Sequence, residues 1–163
     1  MQRGRYIGPE EALQKARHYC AYQERSHSEV RRKLTGFGLR RAEVEDLLSR
    51  LIEEDYLNEE RFATAFAGGK FRVKKWGRNR IVHELRVRGV AEANIGQALK
   101  SIDDEEYRSC VQGLARKKWL ELETSAPSPW ERSSKVAAYL VARGFEGDLV
   151  RKAMESVDRE ENP

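Results

Sequence analysis

The sequence predicts an all-α fold, a tandem array of three three-helix repeats, on three observations. A glycine followed by an apolar residue recurs as Gly38-Leu39, Gly89-Val90 and Gly144-Phe145, and the residues around it align in three copies. Apolar residues stand at steps of three and four on both sides of each glycine, the spacing of paired amphipathic helices. Upstream of each pair lies a third helical pattern, which makes units of roughly fifty residues, the size of short helical repeats.

The alignment runs without a gap over 26–51, 77–102 and 132–157. Before the glycine the apolar columns are Val30, Ile81 and Val136, then Leu34, Leu85 and Leu140. After it come the residue next to glycine and three more columns: Val44, Ile95 and Val150; Leu48, Leu99 and Met154; Leu51, Ile102 and Val157. Glycine between two helices suits a helix C-terminus, where a left-handed residue is sterically cheap only without a Cβ.

In chain order, a tail over 1–10 precedes a first module at 11–56, whose leading helix carries Leu13, Ala16 and Cys20. Ser26-His27-Ser28-Glu29 offers a capping box for its second helix. A second module at 57–102 begins with Asn58 as cap and Glu59 and Glu60 in the first turn, with Phe62, Ala65 and Phe66 as the apolar face. Gly68-Gly69 is expected where that helix ends or bends. The third module, 103–159, has Asp103 or Asp104 as cap and Tyr107, Cys110 and Leu114 as its face. Glu121–Pro129 reads as a loop, closed by Ser128-Pro129-Trp130-Glu131, a cap with a first-turn proline. No flexible linker separates the modules near 56–58 or 102–104, so they are expected to stack semi-rigidly into an elongated, curved body. The alternative is a single compact bundle of nine helices.

Composition agrees with a large polar surface over thin cores: 39% of the 163 residues are hydrophobic and 36% charged. No apolar run approaches the ~18 residues of a membrane span, and Met1–Pro9 lacks the apolar stretch of a signal peptide. A cytoplasmic chain is expected, and Cys20 and Cys110, far apart, make no disulfide framework. The net charge of +4 is unevenly spread. The first module has 9 basic and 9 acidic residues, the second 10 and 4, and 103–163 has 10 and 13. Within 68–88, Lys70, Arg72, Lys74, Lys75, Arg78, Arg80, Arg86 and Arg88 face only Glu84.

Eight cations so close repel one another unless an anion is near, and phosphates match arginine forks and release counterions on binding. Phe71 and Trp76 among them either stack on bases or pack in the core. Arg31, Arg32 and Lys33 form a possible secondary contact, or a solvated face balanced by acidic neighbours. Chemistry of other kinds is missing. No glycine-rich phosphate loop, no nucleophile in a catalytic frame and no His/Cys set at metal spacing is present in the sequence. The expectation is a non-enzymatic binding protein with no cofactor, no metal and no membrane association, acting as a monomer.

Three stretches resemble the RecX family. Ser28-Glu29-Val30-Arg31-Arg32-Lys33-Leu34 is similar to its Glu-Leu-Arg-x-Lys-Leu signature, and Tyr56-Leu57-Asn58-Glu59-Glu60-Arg61-Phe62-Ala63 to its junction between first and second modules. Lys75-Trp76-Gly77-Arg78-Asn79-Arg80-Ile81, followed by Glu84-Leu85-Arg86-Val87-Arg88-Gly89-Val90, resembles the third stretch. Together they span about 28–90. Asn58 stands for the usual aspartate, Trp76 for tyrosine, and Thr35-Gly36-Phe37-Gly38 for a more charged run; none removes a charge from the basic segment. The resemblance implies a row of three-helix repeats that binds the RecA recombinase and its filament on DNA and mostly inhibits it. It assigns the eight cations of 70–88 to contacts with the filament or its DNA. The other reading is a stand-alone helical DNA-binding protein, but Arg78, Asn79 and Gln97 are scattered over two helices rather than set on one recognition helix.

Overall fold

The computed structural model describes residues 6–161; Arg3 and Arg5 of the N-terminal tail lie outside the described residues. Among the described residues there are nine helices and no strand: α1 (Pro9–Tyr22), α2 (His27–Gly36), α3 (Arg41–Glu53), α4 (Glu59–Lys74), α5 (Arg78–Val87), α6 (Glu92–Lys100), α7 (Asp104–Glu121), α8 (Pro129–Ala142) and α9 (Gly147–Glu161). The all-α repeat fold read from the sequence is the fold observed.

The aligned columns form the cores. Leu34, Leu85 and Leu140 are fully buried, and of all the aligned positions only Leu99 is half-exposed. Truncating any of these leucines to alanine would cost about 2–5 kcal/mol, the range for buried leucine with its residual cavity. Gly38, Gly89 and Gly144 all adopt positive φ, at 84°, 75° and 98°. The Val90 N–H donates to the Leu85 carbonyl and the Phe145 N–H to the Leu140 carbonyl, closing each helix end in the left-handed stop that glycine favours.

Caps follow their side chains. Ser26 Oγ accepts from the Glu29 N–H at 3.1 Å, Asn58 Oδ1 from the Arg61 N–H at 2.9 Å, and Asp103, rather than Asp104, from the Glu106 N–H at 2.8 Å. Ser128 makes no such bond; Pro129 alone starts α8. Three further readings are corrected. Ala65 is exposed, and α4 buries Phe62, Ala63, Ala67 and Phe71 instead. In α7 the buried face is Tyr107, Val111, Ala115 and Trp119, so Cys110 and Leu114 flank it. Gly68-Gly69 does not end a helix: α4 runs through both, and the Arg72 guanidinium lies where a Gly68 Cβ would be.

The chain divides into two compact units, and the division does not follow the modules. Among the described residues, the first unit comprises 6–66 together with Leu85–Ala98; the second comprises Ala67–Glu84 and 99–161. In the first, α1 packs on α2 and α3. Glu59 Oε2 accepts from the Ala91 N–H at 3.2 Å and the Asn94 amide at 2.7 Å, so α4 supplies the anion at the start of α6. Arg61 pairs with Glu24 at 2.5 Å and Asp55 at 3.2 Å. In the second, α7 packs on α8 and α9, and Tyr107 lies between Phe71 and Phe145, with centroids 5.6 and 5.5 Å away.

Each unit contains one joint between consecutive modules, and the two joints occupy equivalent places in the repeat. In the first, the Ser28 hydroxyl at the start of α2 donates to the Arg88 carbonyl, next to Gly89, at 3.1 Å. In the second, the Gly77 N–H at the start of α5 donates to the Arg143 carbonyl at 2.8 Å, and the Asn79 N–H to the Gly144 carbonyl at 2.9 Å. Gly77 occupies the column of the buried Ser26, and Asn79 that of Ser28. The remaining corner carbonyl, that of Phe37, accepts from the Ile7 N–H at 3.1 Å. The remaining helix start, in α8, is covered from within its own module. Arg132, in the column of Ser26 and Gly77, is buried with Nε on the Ala126 carbonyl at 2.8 Å and Nη2 on the Pro127 and Glu123 carbonyls. The 122–128 loop thus occupies the position that the next module's corner takes elsewhere.

Candidate functional site

Of the eight cations in the basic segment, six belong to the second unit and two, Arg86 and Arg88, to the first. Their surroundings sort them by what they remain able to bind.

Arg78 is turned inward. Its guanidinium pairs with Asp104 at 2.6 Å and Glu146 at 3.0 Å and lies 3.8 Å from the Tyr107 ring centroid, with the side chain 23% exposed. Its N–H donates to the Tyr107 hydroxyl at 2.9 Å, and that hydroxyl donates to the other Glu146 oxygen. Burial, then the hydrogen bond to Glu146, hold the Tyr107 phenol well above its ordinary range. Two carboxylates already neutralise Arg78, so little of its charge is left for a partner. Arg86 pairs with Glu92 through both faces of its fork, at 2.7 and 3.1 Å. Arg88 places its guanidinium 4.7 Å from the Phe66 ring centroid.

The other four are different. Arg72, Lys74, Lys75 and Arg80 are exposed, and among the described residues none has a carboxylate at ion-pair distance. They stand at the corner where α4 gives way to α5. Here the Lys75 N–H bonds back to the Phe71 carbonyl and the Trp76 N–H to the Lys70 carbonyl, which puts Lys75 in the left-handed conformation at φ 57°. Glycine fills the matching role at the three stops noted above, and Asp55, at φ 62°, at the end of α3. A lysine there sits in backbone geometry that costs it about 1–2 kcal/mol relative to glycine, and such outliers cluster at functional positions.

The corner is held from behind. The Arg143 guanidinium donates to the Lys75 carbonyl at 3.2 Å and to the Lys74 carbonyl. Trp76 is half-buried, with the Lys70 ammonium 5.0 Å and the Arg80 guanidinium 4.2 Å from its ring. Phe71 is core, 3% exposed, so the stacking alternative does not apply to it. At the secondary contact, Arg31 is paired with Glu45 at 2.7 Å, while Arg32 and Lys33 are exposed.

Asp104, Tyr107, Arg143 and Glu146 organise this corner and were not legible as site residues. One signal was available: Arg88 and Arg143 share the column before the glycine, and Ser26 and Gly77 are both small in theirs. Among the described residues no cluster of three or more His, Cys, Asp or Glu is placed to hold a metal, and no helix is long and apolar enough to cross a membrane.

Fold and surface together define a helical-repeat protein that carries an exposed cationic corner. The chain belongs to the RecX family: residues 58–99 match the second three-helix domain of RecX and residues 104–154 the third. It is 32% identical over 148 residues to the regulatory protein RecX of Prosthecochloris aestuarii, covering 90% of this chain and 93% of that one. It is 32% identical over 151 residues to the regulatory protein RecX of Lactobacillus gasseri, covering 93% of this chain but 55% of the relative, so it spans about half the length of that protein. The crystal structure of RecX from Lactobacillus salivarius shares the fold, with a TM-score of 0.82 at 21% identity over 92% of this chain and 96% of that one.

Proposed function

We propose that this chain regulates RecA without catalysing a reaction of its own. It binds RecA and the RecA–DNA filament and mainly inhibits RecA's ATPase, strand-exchange and coprotease activities. Membership of a family of regulatory proteins supports this reading. The observation that carries it is the quartet Arg72, Lys74, Lys75 and Arg80, exposed and without carboxylate partners, with Lys75 kept in a left-handed conformation. Such cations release counterions when they meet phosphates and match the carboxylates of a protein partner equally well. Arg78 is taken up by Asp104 and Glu146 and Arg86 by Glu92, which leaves these two less charge to offer a partner.

The test is inhibition of RecA ATPase on single-stranded DNA by wild type and by a Lys74→Ala, Lys75→Ala, Arg80→Ala variant, with circular dichroism to check the fold. The variant is expected to need about tenfold more protein for half-inhibition, since three phosphate-type contacts are lost. Unchanged inhibition with intact helicity would remove the corner from the mechanism. The same quartet fits a stand-alone DNA-binding protein. That reading predicts equal loss of binding to bare DNA and of inhibition, both falling steeply with salt.

A further inference from the structure

The first unit carries a feature that neither the repeat plan nor the basic corner uses. Between α1 and α2 lies an open groove of about 530 Å³, lined by Lys15, His18, Tyr19, Arg25, Lys33 and Phe37 among others, with no acidic residue in its wall. A second groove of about 380 Å³ shares Tyr19, Lys33 and Phe37 with it and extends it past Arg32 and Glu29. The floor is aromatic and the rim cationic. Arg25 lies 3.7 Å and Lys33 5.2 Å from the Tyr19 ring centroid, and Lys15 and Lys33 are each 5.8 Å from that of Phe37. Two carboxylates lie near these ammonium groups: Glu29, in the wall of the second groove beside Lys33, and Glu11, 3.8 Å from Lys15 on an exposed helix face, a contact worth little. Tyr22 beside the groove is 81% exposed.

We propose that this groove docks a segment of a partner protein in which an apolar side chain is flanked by carboxylates. The apolar side chain lies against Tyr19 and Phe37, and the carboxylates meet Lys15, Arg25 and Lys33 from their solvent side. Charge complementarity selects this occupant. A nucleic-acid base needs a whole ring face to stack and would have to displace the chain's own cations from it, whereas an apolar side chain needs only ring edge and a carboxylate reaches the same cations with the cation–π contacts kept. The groove uses none of the corner quartet, so it goes beyond the proposed function and can fail independently of it.

The probe is a fluorescein-labelled twelve-residue peptide with a central Leu-Phe flanked by Glu and Asp, followed by anisotropy with the full chain. A Leu-Phe→Ser-Ser peptide and an oligo-dT of matched charge serve as comparisons. Wild type is expected to bind the Leu-Phe peptide at least about tenfold more tightly than the Ser-Ser peptide, the apolar contribution of one anchored side chain. Lys15→Glu with Lys33→Glu, both exposed positions, is expected to abolish that binding. The Lys74→Ala, Lys75→Ala, Arg80→Ala variant should stay within twofold of wild type. Amide shifts in a ¹H–¹⁵N spectrum should map to Lys15, Tyr19 and Phe37, which keeps the test decisive if the charge-reversed variant folds poorly. Equal affinity for both peptides, shifts elsewhere, or oligo-dT binding that Lys15→Glu/Lys33→Glu abolishes while peptide binding persists would each overturn the proposal.

Discussion

At the first joint a serine side chain spans the distance to the Arg88 carbonyl; at the second, Gly77 lets backbone meet backbone. The two corners are near copies in sequence, Arg88-Gly89-Val90 and Arg143-Gly144-Phe145, and both glycines adopt positive φ. Their surroundings differ. A Cβ added to Gly89 meets nothing within 4 Å, whereas one added to Gly144 runs into the Arg80 backbone and Cβ, and one added to Gly77 into the Gly144 carbonyl group. At Gly89 glycine is needed for conformation alone; at Gly144 it is needed for conformation and for space. The second joint also gathers Arg78, Tyr107, Asp104 and Glu146 around it, and the exposed quartet stands on that joint. The tighter joint is the one that carries the cationic corner, as positioning a charged surface requires.

The largest effect expected from this contrast is at Gly77. Gly77→Ser installs the residue that the first joint has in the same column, yet it should destabilise the fold by about 3 kcal/mol or more, from overpacking plus two strained backbone hydrogen bonds. Gly89→Ala should lose only about 1–2 kcal/mol, the left-handed penalty. Urea unfolding of both variants measures the difference, and similar losses would mean that the two joints are equally close.

Arg78 and Arg80, two residues apart, sharpen the comparison further. Arg78→Ala leaves the half-buried Glu146 with the Tyr107 hydroxyl alone and should cost about 1–3 kcal/mol of stability. Arg80→Ala should shift stability by less than about 0.5 kcal/mol, as for exposed positions, and act on binding instead. Calorimetry beside the ATPase assay separates the two. A stable Arg78→Ala protein with impaired inhibition would return Arg78 to the contact surface.

Ser28→Ala removes a single hydroxyl bond from the first joint and should cost about 1 kcal/mol, readable in the same urea curves. The smallest effect is a pH slope. Tyr107 is held above the ordinary phenol value of 10.0, so its contribution is fully present below that pH and is lost as the pH rises through the folded value. Stability of the wild type should therefore fall more steeply above pH 10 than that of Tyr107→Phe. The first joint has Phe62 in the equivalent position and contributes no such slope.

The joints also change how the protein can be dissected. The absence of a linker near Ser101 invites a cut there that would keep the whole basic segment. Such a cut would strip Phe71 of Tyr107 and Gly77 of Arg143, because Ala67–Glu84 packs with the chain beyond Leu99. Point variants at the corner are the cleaner probe.

Much of the fold was legible because it depends on local periodicity. A helix that must bury one stripe writes that stripe at steps of three and four, and a left-handed stop writes a glycine, so six columns and three corners could be read from the chain alone. The faces of α4 and α7 were read a residue or two out of place, since Ala65 and Cys110 fit the period as well as the residues actually buried. The concentration of charge at 70–88 was equally visible. What the sequence could not state is which of those charges are already neutralised. Arg78 meets Asp104 26 residues away and Glu146 68 residues away, and no local pattern encodes a partner at such separations. Only the tertiary structure decided that Arg78 is part of that ion-paired cluster and that Arg72, Lys74, Lys75 and Arg80 stand clear of it. Burial and ion pairing are set by what the folded chain brings alongside, not by what precedes or follows in sequence.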